Sequence, residues 1–288
     1  MIKSFKHICS AVAVMAAFLF AACDEVGEGE RYIDVPAKPA SASRCVLVEE
    51  FSGQLCVNCP AASEFLENIQ ETYGKDTVIV VSLHAGVNQM LGISKEMGQA
   101  MGYEGLVTDF GEQMFSSYGL TSEPNAVVDR RGGVLANTQQ WLTSIVNSLR
   151  TPATEALTLA TSYDEASRRL TVNVLGRSTI EDGFTGNIHV WLTEDSISTV
   201  QRLDGGGYEF DHVFNNIFRA SATHLAGNPV TIPYANEPQQ VYTATFTLEA
   251  NWKPEHLSVV AFVDNASGVA NAARADVINS EGGSSATE

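Results

Sequence analysis

Two cysteines stand three residues apart in the stretch Gly53-Gln-Leu-Cys-Val-Asn-Cys-Pro60. Such a pair can be half of a zinc site, a covalent staple or a redox couple. Structural zinc needs four ligands, usually a second Cys or His pair at matching spacing. The six histidines are scattered singly and no second Cys-x-x-Cys exists, so neither a metal nor any other cofactor is expected. A staple across so short a loop constrains the unfolded chain little. Position favours the redox couple. The pair lies between an apolar run and a helical pattern, where the helix dipole and free amides stabilise a thiolate. Cys56 is then the exposed nucleophile and Cys59 its partner. Pro60 falls in the helix's first turn, where few amides have intrahelical partners.

A redox couple also needs a base. Glu49 and Glu50 precede Cys56 on the apolar run, and side chains alternate across a strand, so the two acids point to opposite faces. A parallel strand covered on both sides leaves few ways to solvate either one. Burial raises a carboxyl above its usual value of about 4.3. A carboxyl tuned in this way could take a proton from a nearby thiol. The competing reading pairs one of these acids with a Lys or Arg and gives it no part in chemistry.

The elements that must position these residues follow from periodicity. Cys45-Val-Leu-Val-Glu-Glu-Phe51 reads as a buried strand. Phe65, Leu66, Ile69 and Tyr73 share one helical face, and Gly74 ends that helix. Thr77 to Leu83 is continuous and β-branched, as a central parallel strand should be, which completes a βαβ unit. Residues 85–120 carry seven glycines and read as an insertion. A strand Asn125–Asp129 follows, then a helix through Trp141, Leu142, Ile145, Val146 and Leu149, and Thr151-Pro152 as linker. Beyond it the period becomes two: Leu170/Val172/Val174, Ile188/Val190/Leu192, Tyr242/Ala244/Phe246/Leu248 and Leu257/Val259/Ala261/Val263. That is the pattern of an antiparallel sandwich. The expected organisation is an α/β domain over 44–150 followed by an all-β sandwich over 153–279. Residues 280–288 form a tail of disordered composition.

Acids outnumber bases 34 to 17, which argues against nucleic acid as a partner. Lys3 and Lys6 precede an apolar run from Ile8 to Ala22 that is short for a membrane span. The run ends in Phe20-Ala-Ala-Cys23, which resembles a bacterial lipobox. Residues 1–22 are then a signal peptide, and Cys23 carries fatty-acyl chains of the palmitate type that hold the protein at a membrane. Residues 23–43 open with four acids among glycines and read as a solvated tether. This stretch also resembles the acidic sequence behind the lipid cysteine of surface-displayed lipoproteins of Bacteroidota. Cys45 is left over in an apolar run, as a buried, inert thiol. His84 ends a central strand and reads as a structural histidine within range of the disulfide. His212 reads as packing or surface. Gly205-Gly-Gly207 is a flexible loop, since no helix opens after it to hold a phosphate.

Residues 45–150 resemble a thioredoxin-like domain: Glu50-Phe51 leads into Cys56-Val-Asn-Cys59, and Glu123-Pro124 matches the loop that holds a cis-proline opposite the disulfide. That resemblance implies a Cys56–Cys59 disulfide, with Glu50 as the buried acid and Pro124 as the substrate-side proline. The Trp that normally precedes the first cysteine is Leu55 here. A wider resemblance is to the twenty-eight-kilodalton outer-membrane lipoprotein family of Bacteroidota. It rests on "VLVEEFSGQLCVNCPAA", "VVSLHAG", "EPNAVVDRRG" and "HVFNNIFR…SVVAFVDN". It implies a lipid-anchored, surface-exposed outer-membrane protein with no firmly assigned reaction, and the strand pattern makes its second domain an Ig-like sandwich. Two functions follow as expectations. One is an interaction or adhesin-like role toward a protein or host-surface partner. The other is extracytoplasmic thiol–disulfide exchange at Cys56–Cys59. Asp195-Ser196-Ile197 resembles the O-glycosylation sites of Bacteroidota surface proteins.

Overall fold

The computed structural model describes residues 42–278. The signal segment, the lipidation site Cys23, most of the tether and the tail lie outside the described residues. Strand β1 (Val46–Ser52) is buried at all seven positions, because both of its faces are covered. It pairs in parallel with β2 (Val78–His84), from Val46 opposite Val78 to Ser52 opposite His84. Helix α1 (Cys59–Tyr73) connects them, with Pro60 in its first turn. Gly74 stops it at a φ of +89°, a conformation that costs a glycine little. In the glycine-rich stretch, α2 (Lys95–Met101) and α3 (Asp109–Ser117) are each started by a hydroxyl, Ser94 and Thr108, that accepts a free backbone N–H. Strand β3 (Asn125–Val128) runs antiparallel to β1. Helix α4 (Thr138–Leu149) follows, capped by the Asn137 side chain. Leu66 of α1 with Trp141 and Ile145 of α4 cover the face of the sheet that carries Val46, Val48, Val78 and Val80.

Ten strands make up most of the rest: β4 (Glu155–Asp164), β5 (Arg169–Ser178), β6 (Phe184–Glu194), β7 (Ile197–Arg202), β8 (Tyr208–Phe214), β9 (Ile217–Ser221), β10 (Asn228–Ile232), β11 (Gln239–Thr247), β12 (Leu257–Asn265) and β13 (Gly268–Asp276). Strands β11, β5 and β4 form one layer. Their Leu170, Val172 and Val174 pack on Ile188, Val190 and Leu192 of β6 and on Val259 and Ala261 of β12. The alternating residues expected to face a sandwich core do so.

The residues between them depart from that pattern. Trp191, Val260 and Phe262 point the other way, yet they are also buried, among Leu47, Phe51, Ile79 and Val81 of the first βαβ unit. From Ile188 to Glu194 of β6 and from Leu257 to Asp264 of β12, both faces are therefore buried. The main sheet runs β13-β12-β6-β9-β2-β1-β3 without a break, so it is mixed. Its two halves join where the Ser82 N–H donates to the Asn216 carbonyl at 2.8 Å. The segments on either side of Thr151-Pro152 thus share a sheet and a core. Arg130 lies in that shared core. It bonds Glu49 at 2.8 Å and Asp264 at 2.7 Å, and its guanidinium lies 4.8 Å from the centre of the Phe262 ring. Among the described residues no helix is long and apolar enough to cross a membrane.

Candidate functional site

Cys56 and Cys59 form a disulfide where β1 ends and α1 begins. An exposed Cys56 is corrected: it is only 3% exposed and Cys59 only 1%. The cover comes from the β7–β8 hairpin, far away in sequence. Gln201 Nε2 donates to the Cys56 carbonyl at 3.0 Å, and the Arg202 N–H donates to the Gln54 carbonyl at 2.8 Å. Buried Gln54 ties the edges together, donating to the Glu104 and Val200 carbonyls and accepting from the Leu106 N–H. Ile197, Phe214 and Ile217 close with Leu106 into a small apolar cluster. The sequence signal for this cover was faint: two short strands around Gly205-Gly-Gly207, which forms the exposed hairpin tip.

The two adjacent acids part as strand alternation predicts. Glu49 turns to Arg130. Glu50 turns toward α1, where Ser63 Oγ donates to its Oε1 at 2.8 Å. Ser63 lies one helical turn beyond Cys59, and Ser82 sits opposite Glu50 in the β1–β2 register. No cation reaches Glu50 among the ion pairs of the described residues. Burial pushes its carboxyl up to about 7, against the pull of the Ser63 and Ser82 hydroxyls. Cys59, Ser63 and Ser82 line one cavity of about 490 Å³ together with His84, His212 and Phe214.

A second acid that sequence reasoning left unassigned stands on the other side. The Glu123–Pro124 bond is cis. One carboxylate oxygen of Glu123 and the two sulfurs all lie within 4.8 Å of one another. Glu123 is 9% exposed, and among the described residues neither carboxylate oxygen has a hydrogen-bond partner. Burial, then the charges of Glu50 and Glu112, push it up to about 9. Glycines make its room: a β-carbon on Gly53 would stand 2.6 Å from Glu123 Oε2 and 2.3 Å from the Leu91 carbonyl oxygen. The two sulfurs and Glu123 have the spacing of a three-ligand metal set, but the sulfurs are bonded to each other and offer no thiolate.

The remaining expected residues fall as follows. His84 is buried edge-on to Phe214 at 5.4 Å, its Nδ1 lacks a partner, and burial drives its ring down to about 3, so it is neutral. His212 packs on Phe214 and meets Glu209 at 2.7 Å. Cys45 is a free, part-buried thiol, raised chiefly by burial. Asp195-Ser196-Ile197 forms the β6–β7 turn, in which Ser196 is exposed.

A family model described as "Outer membrane protein Omp28" matches residues 111–281. HBP35 of Porphyromonas gingivalis superposes with a TM-score of 0.63 at 16% identity, over 86% of this chain and 79% of that one, which is a likeness of fold. A domain of the outer membrane lipoprotein Omp28 from Porphyromonas gingivalis aligns at 18% identity over 43% of this chain and 88% of that one, with a TM-score of 0.30. No curated protein matches the sequence.

Proposed function

The chain belongs to the Omp28 outer membrane protein family, and from that premise we propose that it is a lipid-anchored thiol–disulfide oxidoreductase of the outer membrane. Its thioredoxin-like unit spans 44–150 and its Ig-like sandwich 153–279. Outer-membrane placement follows from the family; anchoring through Cys23, and exposure at the cell surface, are parts of the proposal. The observation that carries the redox reading is Glu50. A carboxyl buried without a cation is costly, and this one faces the helix that starts at Cys59. Held near 7, it can take the Cys59 proton as a mixed disulfide at Cys56 resolves. Pro124 sits beside the acid that reaches the sulfurs, on the side where a substrate strand would lie.

The test is turnover of a protein disulfide by the native chain, with Glu50→Gln as the control. Catalysis by wild type, with resolution slowed about a hundredfold in the variant, is the expected result. A midpoint potential below roughly −300 mV, together with no turnover, marks a structural disulfide and overturns the reading. Cys23→Ala should move the protein from the membrane to the soluble fraction, because each buried acyl CH₂ contributes about 0.8 kcal/mol.

The second reading is an interaction or adhesin-like protein that keeps this fold as a scaffold. It is favoured by the cover over the disulfide and by Tyr208, Phe210 and Val213, which the hairpin exposes. Retention of surface binding by a folded Cys56→Ser/Cys59→Ser variant supports it over the first.

A further inference from the structure

We infer that Glu123 is the proton donor to the Cys56–Cys59 pair, so that two acids and not one serve the disulfide. The inference rests on the redox reading above. Glu123 and the sulfurs lie within 4.8 Å of one another, and the carboxyl has no other polar partner to satisfy. An unpaired buried carboxyl destabilises a fold. Two close-packed glycine positions, Gly53 and Gly86, nevertheless hold space for this one. Such a costly group against a reactive bond is where function is expected.

The groups facing Glu123 leave it uncharged. Among the described residues no Lys, Arg or His contributes to its electrostatics; the charges that act on it are Glu50 and Glu112, both of its own sign. Glu112 is otherwise engaged, accepting the Val87 N–H at 2.8 Å. Glu50 raises the cost of ionising Glu123, and Glu50 is itself held near 7 chiefly by burial, so both stay protonated in the oxidised state below neutral pH.

The step balances as follows for an external dithiol. One thiolate of the dithiol bonds to Cys56 Sγ. The Sγ–Sγ bond breaks and its electron pair stays on Cys59 Sγ, which takes the proton from the Glu123 carboxyl. Resolution is the reverse of this step, so there the Cys59 proton returns to Glu123 and reaches Glu50, whose charge acts on Glu123, through it. The carboxylate left behind then takes the proton of the dithiol's second sulfhydryl. That second sulfur closes the reductant's own disulfide and expels Cys56 Sγ as a thiolate. The proton lost in the first ionisation returns to it from solvent. The reductant is oxidised by two electrons, the protein pair is reduced by two, and Glu123 ends as it began.

The test is the rate of reduction of the native full chain by dithiothreitol, per unit of thiolate, from pH 6 to 10. Wild type should hold a plateau and fall as Glu123 ionises, near pH 9. Glu123→Gln should run about a hundredfold slower and flat across the range, and Glu123→Asp should restore part of both rate and pH dependence. Glu123→Leu, which removes the unpaired group, is a second folded comparison. A wild-type rate in Glu123→Gln overturns the role of Glu123 and leaves the redox reading standing. If dithiothreitol reduces wild type only as it unfolds, the redox reading fails and this inference fails with it.

Discussion

Gln201 holds the Cys56 carbonyl across 145 residues of intervening chain, in a bond of 3.0 Å. With the Arg202 N–H and the Gln54 side chain, it links the disulfide loop to the β7–β8 hairpin that covers it. Its loss leaves the Cys56 carbonyl with only the longer bond from the Cys59 N–H at 3.3 Å, and a typical hydrogen bond contributes about 0.5–1.5 kcal/mol. Gln201→Ala is therefore expected to populate the open hairpin more and to speed reduction by bulky thiols about tenfold. Reduction by the smallest thiols should change less. Stopped-flow rates with a size series of thiols check this, and an equal acceleration for all sizes speaks against a lid.

The two raised acids set a pH dependence of stability. An unfolded Glu titrates near 4.3, whereas folded Glu50 titrates near 7 and Glu123 near 9. Between these values the folded chain binds more protons than the unfolded one, so stability falls as pH rises. For Glu50 the shift from 4.5 to about 7 corresponds to about 3 kcal/mol lost across that window. Chemical denaturation at pH 5 and pH 8 should show the wild type weaker at pH 8. Glu50→Gln/Glu123→Gln should remove this fall and leave the rise toward about pH 6.5 that His84 contributes, its folded pKa lying near 3; an unchanged slope refutes the assignment.

Arg130 gives a third expectation. Glu49 is 0% exposed and Arg130 is its ion-pair partner, so Arg130→Met strands a buried charge. Loss of one partner of such a pair costs about 3–5 kcal/mol. Glu49→Gln/Arg130→Met should recover part of that loss, because Glu49 no longer carries a charge although Asp264 still loses its bond to Arg130. A double-mutant cycle by urea denaturation measures it, and additive losses exclude the coupling.

Local pattern was enough to read β1, α1 and β2, and hence the disulfide's place at a strand–helix junction. The same alternation put Glu49 and Glu50 on opposite faces. It did not say which acid meets a cation, because Arg130 arrives from a turn after β3. The pattern also hid the second burial of β6 and β12. Ile188, Val190 and Leu192 satisfy a one-sided sandwich, and only Trp191 on the opposite face hinted that this side is covered too. Glu123 was legible as the neighbour of Pro124, but its contact with both sulfurs depends on the folded path of residues 85–120. The hairpin cover was the least legible feature: Gln201 is an ordinary polar residue until β7 brings it to Cys56.

Ser63 offers the finest control over Glu50. Its hydroxyl donates to Glu50 Oε1 at 2.8 Å, one helical turn beyond Cys59 on a rigid element. A donor to a carboxylate favours the charged form and lowers the pKa, so Ser63 works against the burial that raises it. A hydrogen bond to a charged group is worth about 1.5–3 kcal/mol, or roughly one to two pH units. Ser63→Ala should therefore move the titration of Glu50 upward from about 7, not down toward the usual carboxylate range. The pH at which Glu50 can accept the Cys59 proton rises by the same amount, so resolution at neutral pH slows while the alkaline rate is kept. Carboxyl-carbon NMR of Glu50 reads the titration directly, and the resolution rate from pH 5 to 9 reads its consequence. If the titration stays put in the folded variant, the hydroxyl is not what holds the carboxylate; if it moves and the rate profile does not, Glu50 is not the base.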